Sequence, residues 1–285
     1  MEAALHELRR AICDTGEPAV IDRDDLELFA AESVVALPVG GEGTRLRSVT
    51  DALGIQKNAL RLPNGESLIE RTIRMYRDDG FREFVALVYH SKDSIVDALG
   101  DGSHLGVHVR YSEDPGIPVG RGGAIRNALR NGSIPRDKTL IVHNPDDVIA
   151  LYDGSFPANV VAAHLAGVRI GALATAMMVE GAAVPYTGMR LNNGLVEEVM
   201  AYPFVPIPAH IGVTVFAPAV YDLFDQLFDL TVRTDFEGVL FPILAQQRQL
   251  YSATIPTETW FQVNDPKSLQ RLIEVVASEP TPALG

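Results

Sequence analysis

Short apolar runs alternate with amphipathic stretches through the first half of the chain, and this alternation constrains the fold more than any other feature. Val34–Val39, Glu83–Tyr89 and Thr139–Asn144 are nearly continuous apolar runs of strand length. Strands that are apolar on both faces occur where helices cover both sides of a parallel sheet. The segments between them have helical spacing at Leu68–Arg77, Ser94–Leu99 and Gly123–Leu129, with a further strand at Val107–Tyr111. Past Gly154 the texture becomes richer in β-structure. Strands are expected at Ile170–Val179, Ile211–Phe216 and Tyr251–Ile255, with a hairpin over Met189–Val196 that turns at Asn193-Gly194. Helices are expected at Ala219–Phe228 and Gly238–Gln247, and a closing helix at Pro266–Val276. The pattern predicts an α/β fold whose ligands bind at the carboxyl ends of the strands.

Residues 1–33 read as a helical extension, 34–278 as the main domain and 279–285 as a loose tail. The extension has apolar residues at helical spacing (Ala4, Leu5, Leu8, Ala11, Ile12), a stop at Thr15-Gly16-Glu17-Pro18, and a second helix, Asp24–Ala31, capped by Asp22. Its first helix is open to two uses, capping the sheet or joining copies of a homo-oligomer.

Hydrophobic residues make up 47% of the chain, which excludes global disorder. A net charge of −13 argues against binding a nucleic-acid backbone, though not against one nucleotide in a small pocket. The single cysteine, Cys13, can form neither an internal disulfide nor a thiolate metal cluster. The amino terminus lacks the pattern of a secretory signal. The longest apolar stretch, near Val160–Val179, is interrupted by His164 and Arg169, short of the roughly 18 uncharged residues of a membrane span. A cytoplasmic protein is expected, with no membrane or nucleic-acid partner.

The strongest local signal is Pro38-Val39-Gly40-Gly41-Glu42-Gly43-Thr44-Arg45-Leu46, placed directly after a strand. Glycines let a backbone approach phosphate and point N–H groups at it. No lysine occupies the place that a Walker loop requires, and Leu46 stands where a dinucleotide fingerprint has its third glycine. His104 and His108 have the spacing of a zinc pair on a helix, but Gly106 and the β-rich Val107-His108-Val109 argue against a helix there.

The segment Gly40–Thr50 resembles the GGxGTRLxPxT signature of the nucleotidyltransferases that make NDP-sugars from an NTP and a sugar 1-phosphate. Further segments resemble that family in order: Lys57 with Leu60–Arg71, Glu113–Ile125, Ile141–Asp147, Tyr186–Val196 and Trp260–Leu269. The likeness spans about residues 34–276. It implies a Rossmann-like three-layer nucleotidyltransferase fold with a mostly parallel central sheet and a more β-rich second half. It also implies that Arg45 and Lys57 hold the triphosphate. Nucleotide contacts are expected from Leu37, Val39, Gly40, Gly41, Gly43 and Thr44, and from Glu113, Gly120 and Gly122 in the second glycine loop. Asp146 and Asn264 would hold Mg²⁺, with Asp147 and Asp265 in reserve.

The acceptor side departs from the family pattern. The lysine expected to grip the sugar phosphate is absent from Ala201-Tyr202-Pro203, and His210 replaces a common asparagine. Arg121, Gly188, Tyr202 and His210 are therefore the candidate acceptor contacts, with Arg121 able to replace the lysine because guanidinium pairs bidentately with phosphate. The resemblance implies nucleotidyl transfer from an NTP to a phosphorylated sugar or cyclitol. The alternative is a catalytically silent subunit that senses nucleotide sugars on the same fold.

Overall fold

Val34, Val35, Ala36 and Leu37 are completely buried, and they build the first strand, β1 (Ser33–Pro38). Their side chains alternate between two cores: Val35 and Leu37 enter one, Val34 and Ala36 the other. A run that is apolar at every position is what such a strand needs. The structure is a computed structural model describing residues 2–12, 20–184 and 186–278. Cys13, the Thr15–Pro18 stop and the 279–285 tail lie outside the described residues.

Helices α1 (Glu2–Ile12) and α2 (Arg23–Ala31) precede β1. Asp22 caps α2 by accepting from the Asp25 amide at 2.8 Å. Leu26 and Ala30 of α2 join the first core, whereas α1 buries no residue and is tied to the body through Arg9 and Glu180 at 2.7 Å. The chain continues through α3 (Arg47–Leu53), α4 (Leu68–Asp78), β2 (Glu83–Val88), α5 (Lys92–Leu99), β3 (His108–Glu113), α6 (Gly120–Arg130), β4 (Thr139–His143) and β5 (Asp147–Ile149). Ser67 and Glu70 start α4 with a reciprocal capping box.

Then follow α7 (Phe156–Arg169), β6 (Ala174–Val179), β7 (Ala182–Ala183), β8 (Thr187–Asn192), β9 (Leu195–Ala201), β10 (Phe204–Val205) and β11 (Ala209–Phe216). The chain closes with α8 (Tyr221–Leu227), α9 (Phe236–Gln246), β12 (Leu250–Ile255), β13 (Trp260–Gln262) and α10 (Pro266–Ser278). The central sheet has the order β12-β6-β11-β4-β1-β2-β3. Strands β1 to β4 are mutually parallel, as are β6 and β12, while β11 runs antiparallel between β4 and β6. Helices α2, α4, α5 and α7 pack on one face, and α6, α8 and α9 on the other. This is the expected three-layer architecture.

The segment before β6 differs from the sequence expectation. The strand expected from Ile170 begins at Ala174, and the apolar stretch before it is the helix α7. Val160, Val161, Ala162, Ala163 and His164 are all buried, so this helix shows no polar face from which a helical period could be read. Gly167 lets it lie against β12, because a Cβ there would stand 2.8 Å from the Tyr251 Cβ. The β8–β9 hairpin turns where expected, with Asn193 and Gly194 both at positive φ (47° and 82°).

Candidate active site

The carboxyl ends of β1, β2, β3 and β4 open into one cleft of about 630 Å³. Gly40 and Gly41 form part of its wall, and a Cβ on Gly40 would press on Tyr89 at 3.2 Å. Gly43 has φ +60° and lies against the Lys57 side chain, where a Cβ would stand 3.3 Å from Cδ. The loop therefore needs glycine at 43 both for conformation and for its approach to the lysine. Arg45, at the end of the loop, is exposed and faces the cleft.

Lys57 pairs with Asp146, 89 residues further on, and its ammonium is 3.4 Å from the Asn264 side-chain oxygen, 207 residues away. Strand pairing makes this meeting. β13 runs antiparallel to β5, with Gln262 opposite Asp147, and the Val263 amide donates to the Asp146 carbonyl at 2.7 Å. Asn264 is thereby brought to the β4–β5 turn.

Asp147 also borders the cleft but is engaged by protein donors. It is buried and accepts from Trp260 Nε1–H at 3.0 Å and from the Asn144 amide at 3.1 Å. Burial, helped by the Asp146 charge, pushes its carboxyl above the ordinary value. Gly212, at φ +71°, makes this arrangement possible, since a Cβ would stand 2.1 Å from an Asp147 oxygen and 2.4 Å from the Asn144 nitrogen. Asp265 starts α10, accepting from the Ser268 amide at 2.8 Å.

Among the described residues, no cluster of three or more histidines, cysteines or acids is set to hold a metal ion. The donor set that does converge is two hard oxygens, from Asp146 and Asn264, already facing a shared cation, the Lys57 ammonium. That set fits Mg²⁺, which takes one or two protein oxygens and completes its shell with substrate phosphate and water.

The opposite wall carries Arg121, which lines the cleft and is engaged by two acids. Its Nε is 3.2 Å from Asp235, its Nη1 is 2.9 Å from Glu237, and its own amide donates to Asp235 at 2.8 Å. Burial pushes the Asp235 carboxyl up, but the Arg121 amide and guanidinium outweigh it and hold it below the ordinary range. Burial raises Glu237, with Arg121 only partly opposing it. Neither oxygen of Glu237 has an aligned hydrogen-bond donor. His210 lies beside this group, 4.0 Å from Glu237, and burial pushes its imidazole down to about 4. The neutral ring places Nε2 3.2 Å from the Val213 carbonyl and 3.0 Å from the Thr214 hydroxyl.

Other expected contacts lie elsewhere. Leu37 and Val39 are buried in the first core, while Pro38 between them reaches the cleft. Thr44 is exposed and does not line the cleft. Gly120 does line it, at φ +75°, where a Cβ would stand 2.6 Å from the Thr234 carbonyl. Gly122 instead packs on Phe228, where a Cβ would come within 2.2 Å of the ring. Glu113 points outward and pairs with Lys92 at 2.6 Å; its neighbour Asp114 is the carboxylate that faces the cleft. Gly188 and Tyr202 belong to the hairpin arm outside the cleft lining, and Tyr202 is 69% exposed. The sequence reading missed Asn144, Gly212, Asp235 and Glu237. A signal existed for two of them: acids at 235 and 237 precede an apolar run, as at many helix starts.

A glycine loop and a lysine set against an aspartate thus line one wide cleft over parallel strand ends. Residues 36–279 match the nucleotidyl transferase family, and the chain belongs to it. It is similar to a mannose-1-phosphate guanyltransferase from Pichia angusta, 28% identical over 236 residues, covering 80% of this chain and 60% of that protein. Among solved structures it resembles the inositol-1-phosphate CTP transferase from T. maritima (TM-score 0.61, 17% identity, 87% of this chain and 96% of that one). It also resembles a UDP-glucose pyrophosphorylase complexed with UDP-glucose (TM-score 0.64, 13% identity, 87% and 99%). These two likenesses establish the fold. No helix among the described residues is long and apolar enough to cross a membrane.

Proposed function

We propose that the protein transfers a nucleoside monophosphate from an NTP to the phosphate of a sugar or cyclitol phosphate. An acceptor phosphate oxygen forms a bond to the α-phosphorus, and the bond from that phosphorus to the bridging oxygen breaks. Pyrophosphate leaves with the electron pair. The acceptor is already anionic at neutral pH, so no general base is needed, and catalysis is positioning and charge neutralisation. Gly40 and Gly41 would receive the phosphates, Arg45 would meet the departing pyrophosphate, and Lys57 would neutralise charge at the reacting centre. Asp146 and Asn264 would hold Mg²⁺, which supplies charge neutralisation at the phosphate oxygens when bound.

The observation that carries this reading is the convergence of Lys57, Asp146 and Asn264 beside the glycine loop. The silent-sensor alternative draws on one feature, the engagement of Arg121 by two acids on the acceptor side. One experiment separates them. The protein is incubated with Mg²⁺, each of ATP, GTP, CTP, UTP and dTTP, and pooled sugar and cyclitol 1-phosphates. Pyrophosphate release with a matching product mass supports transfer. Tight binding of an NDP-sugar with no pyrophosphate from any mixture supports the sensor.

A further inference from the structure

The strand order divides the cleft. β1 and β4 supply the glycine loop and Asp146 at its centre, β11 supplies His210 on one side, and β2 and β3 close the other. On the assignment of the centre to phosphates, which rests on the function proposed above, the nucleoside and the acceptor must take opposite sides. The β11 side is crowded with charge: Arg121, Asp235 and Glu237. The β2–β3 side is lined by Leu87, Tyr89 and Pro118, an aliphatic chain and two rings, beside the carboxylate of Asp114. That is the surface a planar base requires.

Asp114 is fixed in this lobe. Its amide donates to the Val88 carbonyl at 3.1 Å, and one carboxylate oxygen accepts from the Val119 amide at 3.0 Å. Tyr89 ties the same loop down by donating to the Gly116 carbonyl at 3.0 Å. Glu113, next along the strand, is turned outward to Lys92. A carboxylate only accepts hydrogen bonds when ionised. Guanine alone among the common bases offers two adjacent donors, N1–H and the 2-amino group. Adenine and cytosine set a ring-nitrogen lone pair beside their amino group, and uracil and thymine flank N3–H with two carbonyls. Each of these would bring a lone pair against the carboxylate.

We propose that Asp114 reads the base and that the donor nucleotide is GTP. A site built to accept from particular N–H groups rejects analogues lacking them strongly, because its own acceptor is then left unpaired.

The test is equilibrium binding of GTP, ITP, ATP, CTP and UTP to the full chain with Mg²⁺, for wild type, Asp114→Asn and Glu113→Gln. Wild type should bind GTP at least about 30-fold more tightly than ATP, CTP or UTP, and at least about 10-fold more tightly than ITP, which lacks the 2-amino group. Asp114→Asn keeps an oxygen for the Val119 amide and turns the other group into a donor. It should lose most of the GTP preference while the other nucleotides change less than about threefold. Glu113→Gln should bind as wild type does.

Three results overturn the assignment: a wild type that prefers another base, an Asp114→Asn variant that weakens every nucleotide equally, or a loss of preference in Glu113→Gln instead. If Asp114→Asn does not fold, the wild-type ratio of GTP to ITP and to the other three nucleotides decides. Pyrophosphate release in the same samples keeps the two proposals apart. Turnover driven best by CTP or UTP removes the role of Asp114 and leaves transfer standing. Selective GTP binding without turnover of any acceptor leaves Asp114 standing and removes transfer.

Discussion

The two flanks of the cleft use the same kinds of side chain to opposite ends. On the phosphate flank, Lys57 meets one carboxylate and one amide oxygen, Arg45 is exposed, and the backbone of the glycine loop adds N–H groups. On the far flank, Arg121 is already matched by Asp235 and Glu237, and Glu237 retains acceptor capacity that nothing fills. The first flank has spare positive charge for an anion. The second has spare hydrogen-bond acceptors, which suit a ligand rich in hydroxyl groups. An arginine in a glycine loop therefore says little about phosphate until its partners are known.

The contrast can be broken most severely at the first flank. Lys57→Ala and Asp146→Ala should each lower the rate of pyrophosphate release by about 10²–10³-fold, the scale of removing one preorganised charge partner. The double variant should lose far less than the product of the two, because the residues act as a pair. Steady-state rates of the three variants check this; full multiplicativity would show that they act apart. Next in size is Gly212→Ala, which adds a Cβ onto Asn144 and Asp147 at a positive φ. It should cost about 2 kcal/mol or more of stability, read by chemical denaturation.

Arg121→Ala sharpens the comparison. If the acids own this side chain, removing it leaves Glu237 half-buried without its counter-charge. The variant should then lose about 1–3 kcal/mol, recovered in part by adding Glu237→Gln. An unchanged denaturation midpoint with a raised acceptor KM would return Arg121 to the phosphate. Acid should act on the fold as a whole. Burial pushes His143, His164 and His210 each down to about 4, below an unfolded value near 6.5. Their neutral forms favour the fold above pH 6.5. As pH falls from there to about 4, each should cost up to about 1.4 kcal/mol per pH unit, seen as a falling melting temperature. The raised carboxyl of Asp114, at about 6, acts in the opposite sense, favouring the fold at low pH and losing that contribution as pH rises through 6. It makes the net slope shallower.

The phosphate flank was legible because its parts are local. A glycine loop after an apolar strand, and acids after another strand, are written in consecutive residues. The far flank was not, because the partner of Arg121 lies 114 residues away and only the packing of α6 against the start of α9 unites them. Glu113 and Asp114 show a finer limit. Successive side chains of a strand point to opposite faces, so a shift of one residue exchanges the carboxylate that faces the ligand for one that faces water. The lobe was readable from sequence, but which of two adjacent acids enters it was not. α7 was missed for another physical reason: over its middle, residues 160–164, every side of the helix is buried, which erases the amphipathic period.

Strand β11 touches both flanks by different means. It offers the side chain of His210 to one, and to the other the bare backbone of Gly212, whose carbonyl accepts from the Asn144 amide at 3.1 Å. The register shifts between His210 and Thr214, around the position where a side chain is excluded. Descendants of such a chain can exchange the residue at 210 and so change what is accepted. Position 212 gives them no such freedom. Two residues apart, one strand separates what a lineage can vary from what it must inherit unchanged.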